Sequence, residues 1–203
     1  MVLGLGKSRT EKNQEWSDKG DDYYKMGQYE KAIECFSKAI SFDPKDYVSF
    51  DTKGIALLRL GNFEESIKQF DEAIRIDSTF SVIWYHKGKS FYYLKKYTKA
   101  IECFNQAIRI DPKNSDSWYL KAMSFYNLEE NEEFMRCSKK LQSIDSNIDP
   151  DYEDQIQKKI GEIKLKSPQV KEIEKLKPLN VLKMRLAKGE ISVDEFNELK
   201  DIL

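Results

Sequence analysis

Apolar positions recur at spacings of three and four along most of this chain, which is the helical period. Trp84, Lys87, Gly88 and Phe91 follow it, and so do Tyr97, Ala100, Ile101, Phe104, Ala107 and Ile108. The two stretches are separated by Leu94-Lys95-Lys96. Earlier pairs are separated by Met26-Gly27-Gln28 and Leu60-Gly61-Asn62. Those glycines suit a helix end followed by a left-handed residue. Asp43-Pro44 and Asp111-Pro112 end the second stretch of a pair, because proline lacks the N–H and disfavours helix before it. No segment reads as a strand. The pattern predicts an all-α chain of helix, turn and helix.

The pairs are copies of one unit. "YEKAIECF" from Tyr29 and "YTKAIECF" from Tyr97 lie two periods apart, and every column returns after 34 residues. One column is Gly20, Gly54, Gly88 and Ala122; another is Trp16, Phe50, Trp84 and Trp118. Phe36, Phe70 and Phe104 form a third, and Ala39, Ala73 and Ala107 a fourth. Asp43, Asp77, Asp111 and Asp145 close the units. Four units result, at 13–46, 47–80, 81–114 and 115–148. The glycine of each first helix is expected to face an alanine of the second (Gly20 with Ala32, Gly88 with Ala100), so that the helices pack closely. A single hairpin cannot bury its own apolar faces, so the units must stack.

These columns resemble the tetratricopeptide repeat, whose signature runs W-x2-L-G-x2-Y, then A-x3-F, A and P. The first unit carries Trp16, Gly20, Tyr23, Ala32, Phe36, Ala39 and Pro44. The third carries Trp84, Gly88, Phe91, Ala100, Phe104, Ala107 and Pro112. The resemblance implies a right-handed α-solenoid. The family's leucine column is lysine here (Lys19, Lys53, Lys87, Lys121), and a packed aliphatic stem with its ammonium at the rim is the expected arrangement. In the fourth unit Phe134 stands for the small alanine, Ser138 for the aromatic and Leu141 for the last alanine. Its second helix is therefore expected to pack differently.

Outside the repeats, residues 1–12 are expected to form a flexible tail. Tyr152, Ile156, Ile160 and Ile163 fall on one helical face, which predicts a capping helix over 149–166 that covers the last repeat. Residues 167–178, with Pro168 and Pro178, read as a linker. In 179–203, Leu179, Leu182 and Leu186 mark a helix ended by Gly189. Ser192 with Glu195 three residues on is a capping box that opens another. The stretch "LKMRLAKGEISVDEFNELKDIL" resembles the short C-terminal domain family (SHOCT), whose members look like small interaction or oligomerisation elements. A hairpin this small must dock its apolar stripe on something.

Composition narrows the function. Lys+Arg 34 against Asp+Glu 35 leave a net charge of -1, without the excess of positive charge expected of a nucleic-acid binder. No run is long enough for a membrane span, no signal peptide is evident, and the cytoplasm is the expected location. Cys35, Cys103 and Cys137 share one column beside the core stripe. Adjacent copies should stand about 8–10 Å apart or more, too far for a disulfide or a metal cluster. His86, the single histidine, has no carboxylate or cysteine set beside it by the repeat. "GKS" at 6–8 lacks the first glycine and the strand of a phosphate-binding loop. Catalysis, cofactors and metals are accordingly not expected.

Binding remains. The resemblance implies a concave groove lined by first helices that holds a peptide. In this chain that selects Ser17, Asp21 and Tyr24; Asp51, Ile55 and Leu58; Tyr85, Lys89 and Tyr92; Tyr119, Met123 and Tyr126. Arg59, His86 and Tyr93 are expected at its edge. Family members that grip the carboxylate tails of heat-shock chaperones use lysine, asparagine, asparagine, lysine and arginine at five places. These are Ser17, Asp21, Thr52, Val82 and His86 here, so no such tail is expected to bind. The reading is a non-enzymatic scaffold or adaptor for a protein or peptide partner, co-chaperone-like only in its fold. The alternatives are an oligomeric assembly factor acting through residues 179–203 and, in another class, an RNA-binding helical repeat.

Overall fold

The computed structural model describes residues 7–144, 149–165 and 168–202. It separates into two units, residues 1–148 and 149–203. In the first, eight helices form four antiparallel pairs: α1 (Arg9–Lys25) with α2 (Tyr29–Phe42), α3 (Tyr47–Arg59) with α4 (Phe63–Ile76), α5 (Ser81–Tyr93) with α6 (Tyr97–Ile110), and α7 (Ser115–Asn127) with α8 (Asn131–Ile144). Each pair packs on the next, and successive first helices touch. This is the solenoid of helix-turn-helix units that the columns predict.

The core lies between paired helices and repeats with the sequence. Phe36, Phe70 and Phe104 are fully buried, as are Ala32, Ala39, Ala73, Ala100 and Ala107. The structure adds a reason for the glycines. A Cβ on Gly20 would lie 2.5 Å from Cε1 of Phe36, on Gly54 2.5 Å from that of Phe70, and on Gly88 2.6 Å from that of Phe104. The phenylalanine ring is what a side chain at the glycine would meet first.

The fourth unit solves the same problem with exchanged volumes. Ala122 adds the methyl, Ser138 gives up the ring, and Phe134 supplies an aromatic one turn earlier; all three are buried. With these exchanged side chains α8 still buries the same four columns as its counterparts, at Phe134, Cys137, Ser138 and Leu141.

Each first helix ends in the same reversal. Gln28 N–H donates to the Tyr23 carbonyl and Gly27 N–H to that of Tyr24, and the pattern recurs at Gly61 with Asn62, Lys95 with Lys96, and Glu129 with Glu130. The residue that turns is left-handed every time, with φ 73° at Gly27, 80° at Gly61, 58° at Lys95 and 61° at Glu129. The second helices of the first three units stop at Asp43, Asp77 and Asp111, whose carboxylates accept from the N–H two residues on. Asp145 of the same column lies outside the described residues.

The joints between units alternate. At the first, Asp46 accepts from Ser49 N–H and from Asn13 Nδ2, at 2.9 Å from the latter, while Asn13 also donates to the Ala39 carbonyl. At the third, Asn114 accepts from Ser117 N–H. At the second, the same columns hold Phe80, stacked 4.7 Å from Tyr47, and Ile83, packed on Phe70 and Ala73.

Of the lysine column, Lys53, Lys87 and Lys121 are half-buried and Lys19 is exposed, and three of the four ammonium groups lie near a ring. The ammonium of Lys19 lies 5.0 Å from the centre of the Trp16 ring, that of Lys87 5.3 Å from Trp84, and that of Lys121 5.0 Å from Trp118. Each pair adds a cation–π attraction.

Helix α1 reaches back to Arg9, ahead of residue 13 where the first repeat was read to begin, because Ser8 and Glu11 form a capping box; residues 1–6 of the expected tail lie outside the described part. The expected linker is helical. In the second unit, α9 spans Pro150–Leu165, α10 spans Pro168–Ala187 and α11 spans Val193–Ile202. Pro168 opens α10, where its missing N–H is harmless, and Pro178 lies within the helix. The hairpin therefore has a longer first arm than 179–203 allows. Gly189 turns it at φ 71°, Ser192 and Glu195 cap α11 reciprocally, and Leu182 and Ile191 are buried among its described side chains. Among the described residues no helix is long and apolar enough to cross a membrane.

Candidate binding face on the first helices

Spacing along the first helices decides which side chains meet. Residues one repeat and one position apart (35 residues) come together across neighbouring first helices. Arg59 Nε donates to Tyr24 Oη at 3.2 Å, His86 Nδ1 lies 3.1 Å from Asp51 Oδ1, and Asn127 Nδ2 is 3.5 Å from Tyr92 Oη. These contacts tie α1 to α3, α3 to α5 and α5 to α7, and they fix the rotamers of a face built from four separate helices.

His86 is thus better supported than the sequence indicated. The expectation that no carboxylate stands beside it fails, because that expectation used the 34-residue column and the contact runs one position further. Both side chains are largely covered, at 18% and 15% exposure. The imidazole also lies against the rings of Phe70 and Tyr85, 5.7 and 5.4 Å between centres. The arrangement is a pinned side chain in a joint between repeats.

Tyrosines form the body of the face. Tyr24 and Tyr92 are half-buried, with rings 5.3 Å from Tyr29 and 5.5 Å from Tyr97. Tyr85 is also half-buried. Its hydroxyl is held strongly toward the neutral form, first by burial and then by the carboxylate of Asp116. Tyr126 sits edge-on to Phe134 at 5.6 Å. Two residues selected from the sequence behave as core: Tyr119 and Met123 are only 6% and 7% exposed. Tyr93, expected at the edge, is exposed and stacks 5.2 Å from Phe63.

Charges are few and sit apart. Asp21 is half-buried and lines a small cleft with Tyr24, Thr52 and Ile55. Burial pushes its carboxyl up, with Asp18 and Asp22 of the same helix adding to the effect against Lys25. Lys89 is half-buried with its ammonium 5.7 Å from the centre of the Tyr85 ring. Burial lowers its pKa, and the nearby Arg59 lowers it further against Asp116. Arg59 itself is exposed. Sequence reasoning missed Asn127 and Asp116. A search for polar pairs 35 residues apart finds the first; Asp116 carries no sequence signal of this kind.

The remaining chemistry is quiet. The three cysteines are free and buried. Burial raises the thiol pKa of each, that of Cys103 to about 11, so thiolate is scarce at neutral pH. Among the described residues no group of three His, Cys, Asp or Glu side chains is placed to hold a metal ion.

Family models described as tetratricopeptide repeat match residues 14–46, 49–80, 81–114 and 103–137. None of these models is of a catalytic family. No curated protein matches the chain. Similar solved structures include a crystal structure of MamA protein, with TM-score 0.70 and 20% identity, covering 90% of this chain and 98% of that one. Another is MamA from residue 41 to the end from Desulfovibrio magneticus RS-1, with TM-score 0.65 and 17% identity over 84% of this chain and 99% of that one. The second repeat domain of human RPAP3, solved in complex with the HSP70 peptide SGPTIEEVD, aligns with TM-score 0.53 and 24% identity over 57% of this chain and 94% of that one. At these identities the likeness is one of fold.

Proposed function

Since the chain belongs to the tetratricopeptide-repeat family, we propose that it is a non-enzymatic scaffold that captures a peptide segment of a partner protein on the face made by α1, α3, α5 and α7. One observation carries this reading: half-buried tyrosines from three of these helices (Tyr24, Tyr85, Tyr92, Tyr126) share one face, and hydrogen bonds between repeats hold it. Tyrosine offers a large rigid ring and one polar tip, which suits recognition at low entropic cost. Affinity purification with mass spectrometry, comparing the intact chain with a Tyr85→Ala, Tyr92→Ala variant of unchanged helicity, tests it. Partners recovered by the intact chain and lost by the variant support the reading; identical partner sets refute it.

A second reading concerns the C-terminal hairpin, which we propose as an assembly element. Val181, Met184 and Val193 are each more than half exposed there, an apolar presentation that a second copy of the hairpin would cover. Met184→Asp with Val193→Asp should lower the mass measured by light scattering; an unchanged mass contradicts it.

A further inference from the structure

Some charged side chains that are partly covered in the repeats have a counter-ion, as Lys87 has Asp71 at 2.6 Å. Others do not, and several of these lie on the binding face. Among the described residues no salt bridge within 4.0 Å holds Asp21, Arg59 or Lys89, although Asp21 and Lys89 are half-buried. Their placement is polar along the array. The acidic end is on α1, where Asp18 and Asp22 flank Asp21. The basic end is on α3 and α5, where Arg59 neighbours Lys89, with the Asp116 carboxylate of α7 also near it.

Resting on the groove reading above, we propose that the segment bound there carries a basic and an acidic side chain five or six residues apart. The basic one seats on Asp21 beside the Tyr24 cleft, and the acidic one on Lys89 beside Arg59. The spacing follows from the fold. The first helices α1, α3 and α5 are successive neighbours, and packed helices stand about 8–10 Å apart. Asp21 and Lys89 are therefore separated by about 16–20 Å across the groove, which an extended chain at ~3.3 Å per residue spans in about five or six residues.

The titration of the two groups agrees with this geometry. Burial raises the carboxyl of Asp21 and lowers the ammonium of Lys89. The opposite charges of Lys25 near Asp21 and of Asp116 near Lys89 offset these shifts only in part, and a ligand charge of opposite sign would add to them. Truncating one partner of such a pair is expected to weaken binding more than removing a fully hydrated rim charge.

A phage library of random dodecamers selected on the full chain tests the proposal, with every clone re-screened on the Tyr85→Ala, Tyr92→Ala variant. The expected clones lose binding on that variant and carry Lys or Arg five or six positions from Asp or Glu. In synthetic peptides made from them, replacing the basic residue by alanine should weaken binding at least fivefold to the intact chain and leave binding to Asp21→Asn unchanged. The acidic residue should couple to Lys89→Gln in the same way. Groove-dependent clones without the charge pair, or without these couplings, overturn the charge pattern alone. If no clone depends on the tyrosines, the groove reading fails, and this inference fails with it.

Discussion

A Cβ built on Gly88 would stand 2.6 Å from Cε1 of Phe104, closer than two carbon atoms tolerate. Gly88→Ala should therefore destabilise the array by about 1–3 kcal/mol, the usual range for overpacking a filled core. The fourth unit already contains the compensation in Ala122, Phe134 and Ser138. Combining Gly88→Ala with Ala100→Phe and Phe104→Ser should lose less stability in urea denaturation than the three single changes sum to. Strict additivity would show that the volume exchange is not what accommodates Ala122.

The left-handed turn residues predict opposite effects in the two halves of the array. Lys95 and Glu129 hold φ values of 58° and 61°, a conformation that costs an ordinary residue about 1–2 kcal/mol. Glycine relieves that but loses more entropy on folding. Lys95→Gly and Glu129→Gly should each stabilise by about 0.5–1 kcal/mol, and Gly27→Ala and Gly61→Ala should each destabilise by about 1 kcal/mol. Urea midpoints of the four variants check the signs.

Asp21 makes stability depend on pH in the less common direction. Its folded pKa is raised above the unfolded value, chiefly by burial, so the folded state binds the proton more tightly. At neutral pH this group is a net liability, which shrinks as pH falls through the folded pKa and is gone below the unfolded one. Asp21→Asn should be more stable than the natural chain at pH 7, by less than ~1 kcal/mol because solvent reaches the side chain. The gap should close as pH falls through the carboxylate range. A gap that widens toward acid would contradict the assignment.

The thiols should be silent in the folded state. Cys35, Cys103 and Cys137 are buried, and burial raises the pKa of each. An aromatic disulfide reagent at pH 8 should titrate almost none of them natively and all three in denaturant. Rapid native reaction of Cys103 would contradict the packing described for α6.

The fold was legible because each repeat restates its columns, and four restatements average out local exceptions such as Phe50 in the tryptophan column. Two kinds of information were not legible. Which residue fills the space beside Gly88 depends on helix rotation, which a spacing rule does not specify; Ala100 and Phe104 both satisfy the helical period. Contacts between repeats were read along columns of 34, whereas the superhelix brings residue i against i+35, as Asp51 and His86 show. The candidate face was mostly recognisable from the tyrosines. The burial of Tyr119 and Met123 was not, since their columns match those of Tyr85 and Lys89. The helical course of residues 168–178 was obscured by Pro168 and Pro178, because proline at a first turn and proline in a linker look alike in sequence.

The absence of the chaperone-tail residues is a prediction in its own right. With Ser17, Asp21, Thr52, Val82 and His86 at the five places, a peptide ending in Glu-Glu-Val-Asp should show no saturable binding up to about millimolar, where free energies fall near 4 kcal/mol. Micromolar binding in a titration would reverse this conclusion.

The central claim is that recognition resides on the tyrosine face of the first helices. Calorimetric titration of a library-selected peptide into the intact chain and into the Tyr85→Ala, Tyr92→Ala variant tests it most directly. The account predicts at least a tenfold loss of affinity at unchanged helicity, which is about 1.4 kcal/mol. Equal affinities for the two chains would place recognition elsewhere on the molecule and contradict it.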